Sequence, residues 1–309
     1  MIRVNICAEG NDWLFGDLKR QFAASSVSGV TVVISEVALD ADAWIFLRAG
    51  EAADSPDLSR TVICIHDLYE HDGMYLPGGE RAAVRGAGGL VLCHPRQRGI
   101  LEEAGVPMGG IRILDRPLGA LRIFTPRREM PPAFTIGWVG RAHWRKRLEW
   151  VEECAGAARV VLIGKDLEST AERLKQRGRE CVVYPRETLR IEDYPALYHQ
   201  MDCLLITSCT EAGPLTLFEA LACGVPVVST PVGWAPYFAS KAPQFVRLGE
   251  TPGELMAALD EVRRERQNLF ERRGEIASLA ETPRLDTWFA DVIRLAVSCA
   301  RTRAEGAEA

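Results

Sequence analysis

Residues 203–233, CLLITSCTEAGPLTLFEALACGVPVVSTPVG, constrain the fold of this chain more than any other stretch. They open on Cys203–Ile206, an apolar run of strand length. A polar turn and a carboxylate, Glu211, follow, and Gly213 and Pro214 punctuate the start of a helix. Within that helix Leu215, Leu217, Phe218, Leu221 and Ala222 suit one buried face. Cys223 and Gly224 stop it, Pro226 enforces the stop, and residues 225–230 read as the next strand. Strand, turn, helix, glycine stop and strand make one right-handed parallel crossover unit. A parallel sheet binds its ligands at the carboxyl ends of its strands, where helix N-termini point. Glu211 belongs to that end. Glu219 follows eight positions later, about two helical turns in, and the backbone donors within residues 213–217 face the same crevice. A helix start with unpaired donors is an anion site. Donors for phosphate beside two carboxylates for hydroxyl groups suit a sugar nucleotide.

The pair Glu211 and Glu219 inside EAGPLTLFEALACGVPVV resembles the signature of retaining family-4 glycosyltransferases of the GT-B fold, the glycosyl transferases group 1. The resemblance implies an α/β protein with two facing Rossmann-like domains, each built on a parallel sheet. It implies that Glu211 contacts the donor sugar hydroxyls and Glu219 the ribose hydroxyls. Gly213, Pro214, Leu215, Thr216 and Leu217 then belong to the donor-binding helix start. The family carries Gly where this chain has Pro214. Proline lacks an N–H but is tolerated in a first helical turn, so the departure is mild.

The chain has 309 residues, a formal net charge of −5 and 26% charged residues. That is a globular composition with length for two domains. No apolar run approaches bilayer-spanning length and the start, MIRVNICAEG, carries no signal peptide, so the expectation is a cytoplasmic protein without a transmembrane segment. Nine cysteines, an odd count without a Cys-x-x-Cys pair, stand mostly in apolar runs such as VICIH and VLCH. Buried reduced thiols are expected, and a zinc site or disulfide frame is not. Mild acidity argues against a large nucleic-acid surface. The oligomeric state leaves no mark in the sequence.

Residues 1–125 read as a shortened N-terminal acceptor domain. Ile2–Cys7 is its first strand and Trp13–Ala24 an amphipathic helix, with Gly10, Asn11 and Asp12 in the loop between. In the family that loop is glycine-rich and lies over the donor–acceptor junction, so Gly10 and Asn11 become acceptor-side candidates. Trp13 and Phe15 read either as acceptor contacts or as core packing. Residues 43–47 form a further strand, preceded by Asp40, Ala41 and Asp42. An Asp-x-Asp at the amino end of a strand is at the wrong end for a crevice metal, so it reads as a solvated turn. Thr61–Ile65 is a buried parallel strand with His66 directly after it. The resemblance places a histidine near the donor sugar there, and a structural turn is the other reading. Residues 71–79, with His71 and Tyr75, form a polar acceptor loop.

Residues 125–133, TPRREMPPA, are Pro-rich and charged and read as the interdomain linker. Residues 126–285 make the nucleotide-sugar domain, and 286–309 a last helix and frayed tail that in a GT-B fold crosses back to the first domain. A strand over residues 134–139 leads into Gly140 and Arg141, and residues 145–154 read as a helix led by Arg145, Lys146 and Arg147. Arg141 and Lys146 match the family's Gly-Arg…Lys pattern, in which the two cations grip the donor diphosphate. Cations at a helix start oppose its dipole and need such a reason. The family has Gly after that Lys, where this chain has Arg147. Gly164 and Arg186 follow strands at whose ends a nucleotide base would lie. Residues 234–237 read as a loop near the sugar, and 253–279 as a polar, peripheral helical region.

The expectation is therefore a retaining, metal-independent hexosyltransferase with Arg141, Lys146, Glu211 and His66 as catalytic candidates. It needs no cofactor beyond a UDP- or GDP-sugar co-substrate. Two rivals remain: a non-catalytic donor-binding subunit of a glycosylation complex, and a sugar-nucleotide epimerase on the same fold.

Overall fold

Near-continuous apolar runs become buried parallel strands, and the amphipathic stretches between them become the covering helices. The computed structural model describes the chain except residues 11–12, 67–77, 95, 117–119, 212, 281–283 and 308–309; for 13–15, 17, 78, 284–286 and 302–307 it describes the backbone alone. The first half contains β1 (Ile2–Cys7), α1 (Trp13–Ala24), β2 (Val30–Ser35), β3 (Ala43–Phe46) and β4 (Thr61–Ile65). It continues with α2 (Gly78–Gly86), β5 (Gly89–Leu92), α3 (Arg96–Glu103) and β6 (Arg112–Asp115). The second half runs β7 (Thr135–Arg141), α4 (Leu148–Cys154), β8 (Arg159–Lys165), α5 (Glu168–Gln176) and β9 (Cys181–Pro185). Then come α6 (Tyr194–Tyr198), β10 (Cys203–Ile206), α7 (Leu215–Ala222), β11 (Val227–Ser229) and α8 (Ala235–Lys241). It closes with β12 (Val246–Leu248), α9 (Pro252–Arg264), α10 (Arg266–Glu271), α11 (Arg273–Ser278) and α12 (Arg284–Ala307).

Two compact units result: Met1–Pro117 with Arg284–Ala309, and Leu118–Pro283. The first holds a six-stranded parallel sheet in the order β2-β1-β3-β4-β5-β6. Its strands β3, β4 and β5 are buried along their whole length. Helix α12 belongs to this unit and packs on β1, β3, β4 and β5. Trp288, Phe289, Val292, Ile293 and Ala296 are the buried face, and Phe289 meets Phe22 of α1 edge-on at 5.1 Å. Asp42 precedes β3 and accepts the Arg3 N–H at 2.7 Å, a structural turn at the amino edge.

The second unit holds another six-stranded parallel sheet, β12-β11-β10-β7-β8-β9. Read from its other edge this is the doubly wound order whose reversal falls between β7 and β10. Residues 125–133 are folded into this unit despite their linker composition. Arg127 is 1% exposed, donates to the Met201 carbonyl and pairs with Asp202 at 3.5 Å. Asp202 also takes Arg266 at 2.9 Å, so the buried guanidinium has a compensating carboxylate. Residues 235–241 form α8 where a loop is expected, because Pro236 sits in the first turn and is compatible with helix there. Helices α9–α11 are not peripheral: Leu255, Leu259, Val262, Leu269 and Ile276 are buried, an apolar face masked by charged neighbours. None of the nine cysteines is in a disulfide, and eight of them are buried. Among the described residues no helix is long and apolar enough to cross a membrane.

Candidate functional site

The reversal of strand order between β7 and β10 opens a crevice at their carboxyl ends. Gly140 and Arg141 close β7, and residues 207–211 leave β10 toward α7. After β7 the chain makes a 3-10 turn, Trp144–Lys146, started by His143, whose Nδ1 accepts the Arg145 N–H at 3.3 Å. The α-helix expected from residue 145 begins only at Leu148. Arg147 interrupts it with φ 46° and ψ 55°, the left-handed region. That conformation costs an L-residue about 1–2 kcal/mol, which accounts for the glycine the family carries at this position. The Arg147 guanidinium lies 4.4 Å over the Trp150 ring.

The 3-10 turn is stitched to the turn after β10. Cys209 N–H donates to the Arg145 carbonyl at 2.7 Å, and the Thr207 hydroxyl donates to the Lys146 carbonyl at 2.5 Å. Trp138 Nε1 in turn donates to Thr207 at 3.3 Å. This framework sets Lys146 against Glu211, and their side chains form an ion pair. The Ser208 hydroxyl donates to the same Glu211 oxygen at 2.7 Å. The pair is partly buried, with Lys146 29% and Glu211 12% exposed, so its charges are less screened than at an open surface yet still reachable. Arg141 is exposed at the neighbouring strand end, beside its register partner Lys165. His143 shows how close the cations are. Desolvation, then Arg145, Arg141 and Lys146, hold its imidazole below the usual histidine range.

Helix α7 starts at Leu215 with Pro214 as its N-cap and no side chain capping it. The loop after β11 packs on that start. Gly233 has φ 51°, and a Cβ there would come within 2.7 Å of Pro214 Cδ, so only glycine fits. Thr230 donates to the Ser208 carbonyl at 2.6 Å and ties the same loop to the β10 turn. Gly213, Leu215 and Thr216 are half-buried at the helix start. Leu217 departs from expectation: its N–H is taken by the Pro214 carbonyl at 3.1 Å and its side chain is core. The tight first turn uses that donor locally.

Glu219 is the fifth residue of α7, one turn in rather than two, because the helix begins at Leu215 and not at Gly213. Its Oε2 accepts the Tyr198 hydroxyl at 2.6 Å. Arg186 opens a short turn after β9, donates to the Leu189 carbonyl at 2.6 Å and lies 5.8 Å over the Tyr194 ring. Burial lifts the Tyr194 hydroxyl well above its ordinary pKa, with Arg186 opposing the rise and Glu219 adding to it. Gly140 and Gly164 are register partners in β7 and β8. Gly164 has φ 148°, and a Cβ on it would fall 1.5 Å from the Gly140 carbonyl oxygen. Glycine at 164 is therefore demanded by the backbone, whereas a Cβ on Gly140 would meet the Trp138 ring at 3.0 Å.

The remaining candidates lie in the first unit. Gly10 follows β1, at the reversal between β1 and β3, and its carbonyl accepts Lys19 Nζ at 2.6 Å. His66 follows β4, half-buried, with Nδ1 3.3 Å from Cys93 Sγ. Desolvation, reinforced by Arg116 and Arg48, pushes its pKa down to about 4, so it is a neutral imidazole at pH 7. Asn11, His71 and Tyr75, and the side chains of Trp13 and Phe15, lie outside the described residues. A cavity of about 600 Å³ lined by Phe134, Arg159, Glu180 and Arg263 lies at the opposite, amino edge of the second sheet. Strand starts offer no helix N-termini, so the chemistry is not there.

Sequence reasoning passed over Ser208, Thr207, His143 and Tyr198. Ser208 had a signal, a hydroxyl three residues before a crevice carboxylate. Tyr198 had none, since its bond to Glu219 spans 21 residues and two helices.

Residues 133–264 match the sequence model of the family described as Glycosyl transferases group 1. Among solved structures, sucrose-phosphate synthase from Thermosynechococcus elongatus aligns with TM-score 0.74 and 13% identity, over 96% of this chain and 100% of that one. The Anabaena protein HepE, solved with UDP-glucose, aligns with TM-score 0.66 and 14% identity, over 99% and 100%. The pneumococcal O-GlcNAc transferase GtfA, solved with UDP and GlcNAc, aligns with TM-score 0.60 and 16% identity, over 82% of this chain and 56% of that one. Comparison with curated protein sequences gave no match. At these identities the structural likeness speaks to the fold alone: the chain is an α/β protein of the GT-B fold, and its residues 133–264 match the glycosyl transferases group 1 family model.

Proposed function

We propose that the chain is a retaining glycosyltransferase that moves a sugar from a UDP- or GDP-linked donor to an acceptor hydroxyl or similar nucleophile. The observation that carries this reading is the Lys146–Glu211 pair at the β7/β10 reversal, with exposed Arg141 on the adjoining strand end. A carboxylate offers acceptors for sugar hydroxyls, and two cations suit a leaving diphosphate. The matched domain supports it, as do neighbours solved with UDP or UDP-glucose.

In this reading Glu211, oriented by Ser208, takes the donor sugar hydroxyls. As the glycosidic bond breaks, the electron pair leaves with the diphosphate, and Arg141 and Lys146 stabilise the growing charge. The backbone donors at Gly213, Leu215 and Thr216 add the field of the α7 start. The acceptor then attacks the anomeric carbon from the face the diphosphate leaves, passing its proton to the departing diphosphate, with no carboxylate nucleophile. Glu219 takes ribose hydroxyls, and Gly164 and Arg186 border the base. Gly10, Asn11, His71 and Tyr75 serve the acceptor side, and His66, a neutral imidazole at pH 7, belongs with the catalytic set near the donor sugar. The paired cations fill the role a divalent metal has on a diphosphate, so turnover should survive excess chelator. Complete loss restored by metal would contradict that.

Tight binding of the correct nucleotide stabilises the folded chain by mass action, so a thermal-shift panel of nucleoside diphosphates should single out one base. Against that nucleotide, Glu219→Ala should lose about 1.5–3 kcal/mol of binding, the worth of a charged hydrogen bond. It should also lower the melting temperature modestly, because the buried Tyr198 hydroxyl loses its partner. Unchanged nucleotide affinity would remove Glu219 from the site.

A further inference from the structure

We infer that Tyr198 is the positioning residue of the nucleotide site: it fixes the Glu219 carboxylate, and through it the preference for ribonucleoside over deoxyribonucleoside diphosphates. This rests on the reading above, in which Glu219 meets the ribose, and adds what holds it in place. Tyr198 ends the short helix α6 and is fully buried. Its ring packs edge-on against Phe124, centroids 5.9 Å apart, so the hydroxyl has a fixed address. From there it donates to Glu219 Oε2 at 2.6 Å, within the range of charge-assisted bonds. Burial first, then the neighbouring carboxylate, hold the phenol well above its ordinary pKa, so it remains a donor throughout the working range.

A glutamate on a half-exposed helix face otherwise samples several rotamers. Tying one oxygen to a buried, rigid phenol removes that freedom before the ligand arrives, which is how a supporting residue raises affinity without touching the ligand. Tyr194, one turn earlier on α6 and 1% exposed, carries Arg186 over its ring, and the Glu219 charge adds to the rise of its pKa. A carboxylate held in this way suits a vicinal diol. Ribose presents one, and a deoxyribose lacks half of it.

The test uses the full chain and the nucleoside diphosphate, among UDP, GDP and ADP, that gives the largest thermal shift, with its 2′-deoxy and 3′-deoxy analogues, by titration calorimetry. The wild-type chain should bind the ribonucleotide about tenfold more tightly than at least one analogue, the scale of one charged hydrogen bond. Tyr198→Phe removes the hydroxyl and keeps the ring against Phe124. It should cut ribonucleotide affinity severalfold and leave the discriminated analogue unchanged. Glu219→Ala should abolish the discrimination. If Tyr198→Phe weakens ribo- and deoxynucleotide equally, or neither, while Glu219→Ala still abolishes discrimination, the role of Tyr198 is overturned and the reading of Glu219 stands. If the wild-type chain does not discriminate, binds none of the three, or is indifferent to Glu219→Ala, the reading of Glu219 fails and takes this inference with it.

Discussion

Arg141→Ala and Lys146→Ala should each lower kcat by about a hundredfold or more, the usual scale for removing one electrostatic partner of a transition state. Both cations are proposed to meet charge that grows only as the glycosidic bond breaks, and interactions of that kind appear in kcat rather than in affinity alone. The structure separates the two variants. Lys146 is ion-paired to Glu211, which is only 12% exposed and, among the described residues, is left with the Ser208 hydroxyl when the ammonium goes. Lys146→Ala should therefore also raise the donor KM, and Lys146 and Glu211 should show coupling in a double-mutant cycle. Arg141 is exposed, and its loss should fall more purely on kcat. Lys146→Arg should rescue only in part, since a planar fork does not replace a point charge in a fitted site. Arg147→Ala is the control: its guanidinium is stacked on Trp150, and its loss should be mild. Equal losses in all three alanine variants would reduce the effect to general basicity. A rise in KM alone for Arg141→Ala and Lys146→Ala would leave the cations as holders of the donor and contradict the leaving-group role.

Deleting everything after Pro283 should unfold the first unit. Trp288, Phe289, Val292, Ile293, Ala296 and Val297 of α12 are buried there, covering β1, β3, β4 and β5. At about 1.5–3 kcal/mol for each large apolar side chain, the loss is on the order of 10 kcal/mol. A whole domain is stable by only about 5–15 kcal/mol. Turnover should disappear, and hydrogen exchange should show the strands of the first sheet unprotected. Nucleotide binding should fall far less, because the second unit has its own core. A truncated chain with full activity and native exchange would show that the helix is incidental to the first unit.

The parallel α/β architecture was legible because buried parallel strands leave apolar runs such as Thr61–Ile65 and Cys203–Ile206 that survive any tertiary context. The meeting of Lys146 with Glu211 was legible only through the family resemblance, since 65 residues separate them. Composition misled at residues 125–133: proline and charge read as a linker, but Arg127 finds a buried carboxylate in Asp202. It misled again at α9–α11, where many Arg and Glu residues hide a regular apolar face. The left-handed Arg147 was invisible for a different reason. Its side chain gives no hint of a backbone that glycine prefers, so the sequence pattern places the helix start three residues early. Tyr198 shows the general limit, because the support beneath a site is chosen by packing and carries no local pattern.

The most direct measurement follows the purified chain with UDP- and GDP-sugars and a panel of acceptors by NMR. The expected result is a product whose anomeric configuration matches the donor's, with an equal amount of nucleoside diphosphate released and no dependence on added metal. A product of inverted configuration would contradict the retaining mechanism. An altered sugar nucleotide formed without acceptor would point to an epimerase. Nucleotide binding with no transfer to any acceptor would make the chain a donor-binding subunit, contrary to the function proposed.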